Sequence, residues 1–174
     1  MKIFITNLGR YNEGYLVGKW VKLPVSEDKL NEVLEAIGIN EYYEEYFITD
    51  YENEIIGIGD VISEYSSVQA LNELAQRLED LSDDEADKLG AVLEYEACRS
   101  VSEVLELLDK LDEFDLLTDV TDDEELGYYY AEEYCCIDIP EYIQPYFDYE
   151  KFGRDVRLQS CCLYTSYGFL LDNR

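Results

Sequence analysis

An α+β protein in three small parts, elongated rather than spherical, is what this sequence predicts, and three observations lead there. Period-two apolar patterning gathers near the N-terminus, helical spacing dominates the middle, and the C-terminal third mixes both. Charge is segregated: residues 25–150 hold 38 of the 41 acidic side chains against 5 of the 13 basic ones, leaving both ends mildly basic. Hydrophobic content of 47%, with 17 Tyr and 6 Phe, is too rich for disorder despite a net charge of −28.

The elements follow in order. Lys2–Thr6 alternates toward an apolar face, 7–14 is turn-rich, and 15–21 resumes a β-branched and aromatic pattern that Pro24 stops. Ser26 then caps a helix, with Glu27 and Asp28 in its first turn where the dipole favours acids. Leu30, Val33, Leu34 and Ile37 form its inner row and Gly38 its end, and 43–51 reads as a third strand. Residues 1–60 thus form a ββαβ domain, an antiparallel sheet carrying one helix. Residues 53–66, with Gly57 and Gly59, connect it to a central helical domain over 61–103.

Three capping boxes open the central helices: Ser66 with Gln69, Ser82 with Glu85, and Ser100 with Glu103. Their apolar rows are Val68/Leu71/Leu74/Ala75/Leu78/Leu81, Ala86/Leu89/Leu93/Ala97 and Val101/Val104/Leu105/Leu108/Leu111. Each row is one-sided, so each opposite face meets water. The C-terminal α+β domain, 104–174, contains a candidate strand at 114–120. A helix opened by Thr121 with Glu124 follows, its inner face Leu126, Tyr129 and Tyr130. Beyond it come a turn region around Pro140 and Pro145, a helix at 148–159 and a final strand at 161–171. Trp20 and most tyrosines read as core.

Several functions are excluded by what is missing. The sequence has no His, which removes the usual metal ligand and the usual general base near neutral pH. Cys98, Cys135, Cys136, Cys161 and Cys162 make an odd set with no Cys-x-x-Cys, so they read as buried or half-buried thiols in a reducing compartment. Asp119–Glu125 lacks the glycine turn and spacing of a calcium loop, and Gly57–Gly59 is too short to cradle phosphate. A glycosidase needs a few carboxylates in a cleft rather than dozens in exposed runs. No catalytic residue, metal or cofactor is therefore expected. Without a membrane-length apolar run or a signal-like h-region, a cytoplasmic protein is expected.

The carboxylates carry the function. They recur as Glu41, Glu44, Glu45, Asp50, Glu52 and Glu54, then as Glu79, Asp80, Asp83, Asp84 and Asp87. A helical face from Val101 holds Glu103, Glu106, Asp109 and Glu113, continuing through Asp112, Asp115, Asp119, Asp122, Asp123, Glu124 and Glu125. On a helix, positions i and i+3 lie about 5–6 Å apart, near the spacing of phosphates along a duplex strand, and like charges there oppose the helix by a few tenths of a kcal/mol. Retaining such repulsion implies a strongly positive partner surface. With one charge per roughly 1.7 Å of B-DNA axis, −28 matches about 48 Å of duplex, and a two-fold dimer twice that. A compact sphere of this length has a radius of gyration of only about 16 Å, hence the elongated expectation.

The opening Ile3–Gly14 (IFITNLGRYNEG), with Val17-Gly18-Lys19-Trp20 and Pro24 after it, resembles the start of the ArdA antirestriction family. Tyr43–Tyr46, Asp50–Glu52, Asp123–Tyr129, Pro140-Glu141, Tyr146–Glu150 and Gly153–Val156 match it in order. The family is carried by mobile elements and phage-like DNA. The resemblance implies an elongated multi-domain homodimer whose acids imitate the phosphates of bent B-form DNA. Such a protein occupies the groove of type I restriction-modification enzymes, methyltransferase core and full complex alike, without itself binding nucleic acid or membrane. The segment Glu124–Glu133 corresponds best to the family's antirestriction motif. Dimerisation is implied for the C-terminal part, where Tyr164, Tyr167 and Phe169 read equally as contact or as sheet core. The alternative from charge alone is an acidic chaperone or scaffold for basic DNA-binding proteins.

Overall fold

The computed structural model describes residues 1–174 except Ile56 and Cys136, and its class is α+β. The chain gathers into two compact units. One holds Met1–Ala86 and Ala97–Asp109, the other Asp87–Glu96 and Lys110–Arg174.

In the first unit, β1 (Lys2–Asn7) lies between β2 (Gly18–Lys22) and β3 (Tyr46–Glu52) in an antiparallel sheet. Ile3 and Ile5 point to one face and are fully buried. Thr6 and Asn7, the buried polar residues among those described, are satisfied by one side chain and by backbone groups. The Thr6 and Thr49 hydroxyls meet at 2.7 Å, and Asn7 Nδ2 donates to the Ile37 carbonyl at 3.1 Å. Asn7 Oδ1 also accepts from the Arg10 amide at 2.9 Å. That cap starts α1 (Leu8–Asn12), a short helix where a turn was expected. The second and third strands are shorter than expected because the chain straightens only at Gly18 and Tyr46.

The helix from Ser26 forms as expected: α2 (Glu27–Ala36) is capped by that hydroxyl and ends near Gly38 at φ +81°. The connector holds a 3-10 turn at Ile58–Val61. Next, α3 (Val68–Glu79) is capped by Ser67 rather than Ser66, whose hydroxyl instead accepts from the Ser63 amide. Its inner row is Val68, Leu71, Leu74 and Ala75, with Leu78 and Leu81 half-buried. It packs against α5 (Val101–Leu108), whose buried residues are Val101, Val104, Leu107 and Leu108, so Leu107 replaces Leu105 in the expected row. The Ser82–Glu85 box forms in both directions and opens α4 (Asp83–Tyr95). Of its expected row Leu89 is fully buried and Ala86 and Leu93 are half-buried, while Ala97 lies beyond the helix and is exposed; Ala91 and Val92 complete the core face.

In the second unit, a 3-10 turn at Leu111–Glu113 leads into β4 (Phe114–Leu117). α6 (Asp123–Tyr128) is capped by Asp122, not Thr121, and runs on into a π-helical stretch over Tyr129–Tyr134. A 3-10 turn at Gln144–Tyr146 precedes α7 (Tyr149–Gln159), capped by Asp148. The expected final strand is a hairpin instead, β5 (Cys162–Thr165) and β6 (Gly168–Asp172), because Gly168 at φ +132° turns the chain. The sheet order is β4-β6-β5, all antiparallel. Phe114, Leu126, Phe169 and Leu170 form the core. Helices α6 and α7 cross at two glycines so closely that a Cβ on Gly153 would stand 1.9 Å from the Asp123 carbonyl oxygen.

Trp20 is 40% exposed, and Tyr42, Tyr65, Tyr142 and Tyr146 stand largely in solvent, so the aromatic set is less internal than expected. Cys135 and Cys161 are exposed, Cys98 and Cys162 half-buried, and Cys136 lies outside the described residues. No helix among the described residues is long and apolar enough to cross a membrane.

Candidate functional site

Charged groups stay in water unless paired, because desolvating them costs several kcal/mol. The candidate acids obey this. All are exposed except Asp123, which is half-buried. Four of them sit in ion pairs: Glu52 with Lys2 at 2.8 Å, Glu79 with Lys22 at 3.9 Å, Asp109 with Arg77 at 2.8 Å, and Asp123 with Arg157 at 2.7 Å. The rest have no Lys or Arg within ion-pair distance among the described residues. Exposed pairs are worth about 0–1 kcal/mol each, so the surface keeps its negative potential.

The first cluster is built on a pinned segment. The Leu8 amide donates to the Glu45 carbonyl at 3.0 Å, and the Tyr43 ring packs against Gly9, where any Cβ would meet it at 2.2 Å. The Tyr43 hydroxyl donates to Glu13 at 2.8 Å, Glu13 pairs with Arg10, and Arg10 stacks over the Tyr43 ring. Glu41, Glu44 and Glu45 are therefore presented from backbone held by α1. Asp50 and Glu52 follow on β3, and Glu54 leaves its end. Sequence reasoning missed this clamp, since nothing in the pattern joins residues 9, 13 and 43.

The second cluster rides on helix ends. Asp83 and Asp84 occupy the favourable first turn of α4, but Asp80 caps the C-terminus of α3 and Asp109 that of α5. Acids beside exposed helix carbonyls cost about 0.3–1 kcal/mol. Of the two, Asp109 has Arg77 to offset that, and Asp80 has no Lys or Arg within ion-pair distance among the described residues. The expected four-acid helical face is shortened: α5 ends at Leu108, so Glu103 and Glu106 ride the helix, Asp109 caps it, and Glu113 stands on the following 3-10 turn. The Glu103 carboxylate accepts from the Arg99 amide at 2.7 Å.

The third cluster divides by role. Asp112, Glu113 and Asp119 project into solvent, and Asp115 accepts from Asn173 at 2.8 Å. Asp122 caps α6, and Glu125 accepts from both the amide and hydroxyl of Thr121. Asp123 is the exception. Arg157 grips it with two bonds, at 2.7 and 2.9 Å, and the Tyr164 hydroxyl donates to it at 2.8 Å. Its charge is spent inside the unit, so it is a structural anchor between α6, α7 and β5. Tyr164 packs on Phe169, and Phe169 is wholly buried, which makes it core rather than surface. Tyr167 is half-buried, its ring lying against Gly90.

The basic ends also take a clearer meaning. Lys2, Lys22, Arg157 and Arg174 each reach an acid of the central block, Arg174 contacting Glu96 as well as Asp172. The Arg157 hydrogen bond holds the Asp123 carboxyl below the usual carboxylate range, and Arg174 pulls Asp172 down to about 2. Lowered carboxyl values contribute stability that is present above an unfolded value near ~3.9 and lost as pH falls toward the folded value. The readout is the difference between parent and variant, in which changes common to both cancel. The stability gap between the parent and Asp172→Asn should be full at pH 5 and close by about pH 2 in thermal melts. A gap that is unchanged at pH 2 would show that Arg174 does not stabilise the ionised form.

No group of His, Cys, Asp or Glu among the described residues is arranged to hold a metal. A family model described as "Antirestriction protein (ArdA)" matches residues 3–170. No curated protein matches the sequence.

Proposed function

Because the chain belongs to the ArdA family of antirestriction proteins, we propose that it is a protein mimic of B-form DNA. In this reading it occupies the DNA-binding groove of a type I restriction-modification enzyme in the cytoplasm, and blocks restriction and modification. The observation that carries the reading is a set of exposed acids, among them Glu41, Glu44, Glu45, Asp83, Asp112 and Asp119, that have no Lys or Arg within ion-pair distance among the described residues. A groove lined by Lys and Arg supplies the cations this surface lacks, and a surface of fixed carboxylates presents charge without the ordering cost of a flexible polyanion. The protein does so as a homodimer through its C-terminal part, where Tyr164 and Tyr167 remain candidate contacts. It performs no catalysis and needs no cofactor.

Two properties separate this from an acidic chaperone. A mimic prefers enzymes with a duplex-shaped groove, whereas a chaperone binds basic proteins alike. Binding to a type I methyltransferase core should exceed binding to a histone-like protein of similar charge by about a hundredfold, and should weaken steeply between 50 and 200 mM salt. Equal affinity for both proteins would favour the chaperone.

A further inference from the structure

A concave site in the first unit is not explained by phosphate mimicry, which needs only convex charge. Between β3, the N-terminal turn of α3 and the chain after Pro24 lies a cleft of about 610 Å³, within the roughly 300–1,000 Å³ typical of ligand sites. Its floor is apolar: Phe47 and Ile48, both buried, with Val25 and Leu30 half-buried beside them. Its walls are fixed by bonds among themselves. Asn72 clamps Val25 through both backbone groups, the Ile48 amide donates to the Glu64 carbonyl at 2.8 Å, and Ser67 caps α3.

Those polar groups are already used, so an occupant is held by apolar contact and by charge. The charge is of one sign. Glu27 and Glu64 line the opening, and no Lys or Arg does among the described residues. Tyr65, 74% exposed, offers a bare aromatic face at the same edge. Carboxylates, a π-face and an apolar floor together suit a cation attached to a hydrophobic group. We infer that this cleft binds a peptide segment of a basic protein in which an aromatic or branched apolar residue stands next to Arg. The apolar side chain fills the floor over Ile48, and the guanidinium lies between Tyr65 and the Glu27 and Glu64 carboxylates.

The test is a titration of the full-length protein, followed by amide chemical shifts, with two capped tetrapeptides. Arg-Phe-Arg-Leu carries both features; Arg-Gly-Arg-Gly carries charge alone. The first should shift Phe47, Ile48 and residues 65–69 as a saturable site, and the second should only spread weak shifts over the acidic surface. Tyr65→Ala should weaken the first peptide about fivefold, and Gln69→Lys, at the exposed start of α3, about tenfold by like charge. Both substitutions are at exposed positions, so dispersed spectra of the variants are expected. Equal affinity for the two peptides, no saturable shifts at the cleft, or variants that bind as the parent does would each overturn the assignment.

Discussion

Gly153→Ala is expected to lower the stability of the protein by about 3 kcal/mol or more, roughly a 6–12 °C fall in melting temperature. The sign is the informative part, since Gly→Ala within an exposed helix stabilises by up to about 1 kcal/mol. Gly153 sits inside α7, but its missing side chain faces α6. A Cβ there would lie 1.9 Å from the Asp123 carbonyl oxygen and 2.6 Å from the Gly127 amide nitrogen. Both are backbone atoms, so no rotamer change relieves the contact and the helices must part. Parting them also pulls Asp123 from Arg157 and breaks a two-bond ion pair on the same seam. Gly127→Ala should behave alike, its Cβ meeting the Tyr149 carbonyl oxygen at 2.0 Å. Gly90→Ala should cost less, because what it meets is the Tyr167 ring, a side chain that can turn. Calorimetric melts of the three variants decide the matter. A Gly153→Ala protein as stable as its parent would mean that α6 and α7 do not approach as described.

The largest functional effect should come from charge removed as a patch. Changing Glu41, Glu44, Glu45 and Glu54 to Gln together with Asp50 to Asn is expected to weaken binding to the target enzyme about twentyfold. Asp112→Asn alone should change it less than about twofold. The difference in scale follows from many exposed charges each contributing a few tenths of a kcal/mol, with no single one buried against the partner. Folding should not suffer in the patch variant, since the repulsion it removes opposes the compact state. Affinities measured for the parent and both variants at one salt concentration test this. A single acid whose loss abolishes inhibition would contradict distributed charge and point to a discrete site.

What could be read from the sequence was local. The Ser26, Ser82 and Ser100 caps each depend on a side chain three residues from its target, a distance the pattern contains. Exposure of the acids was legible for a different reason: burying an unpaired carboxylate costs more than a fold can offset. Several of the differences share one cause, which is that the deciding partner lies far along the chain. Asp123 reads as one more surface acid until Arg157, 34 residues on, takes it. The inner face of α4 extends beyond its expected row partly because Tyr167 seats on Gly90. The hairpin of β5 and β6 lies within one expected strand, although Thr165, Ser166 and Gly168 interrupt its apolar pattern at the turn. α1 was masked by Gly9, which weakens helical propensity yet is needed where Tyr43 packs.

The claim that this surface stands in for duplex DNA is tested most directly by competition. A type I methyltransferase core is bound to a labelled cognate duplex, and the protein is titrated in at low and at moderate salt. Release of the duplex near stoichiometric protein is expected, with an apparent affinity that weakens as salt rises. Retention of the duplex at large excess of the protein would contradict it.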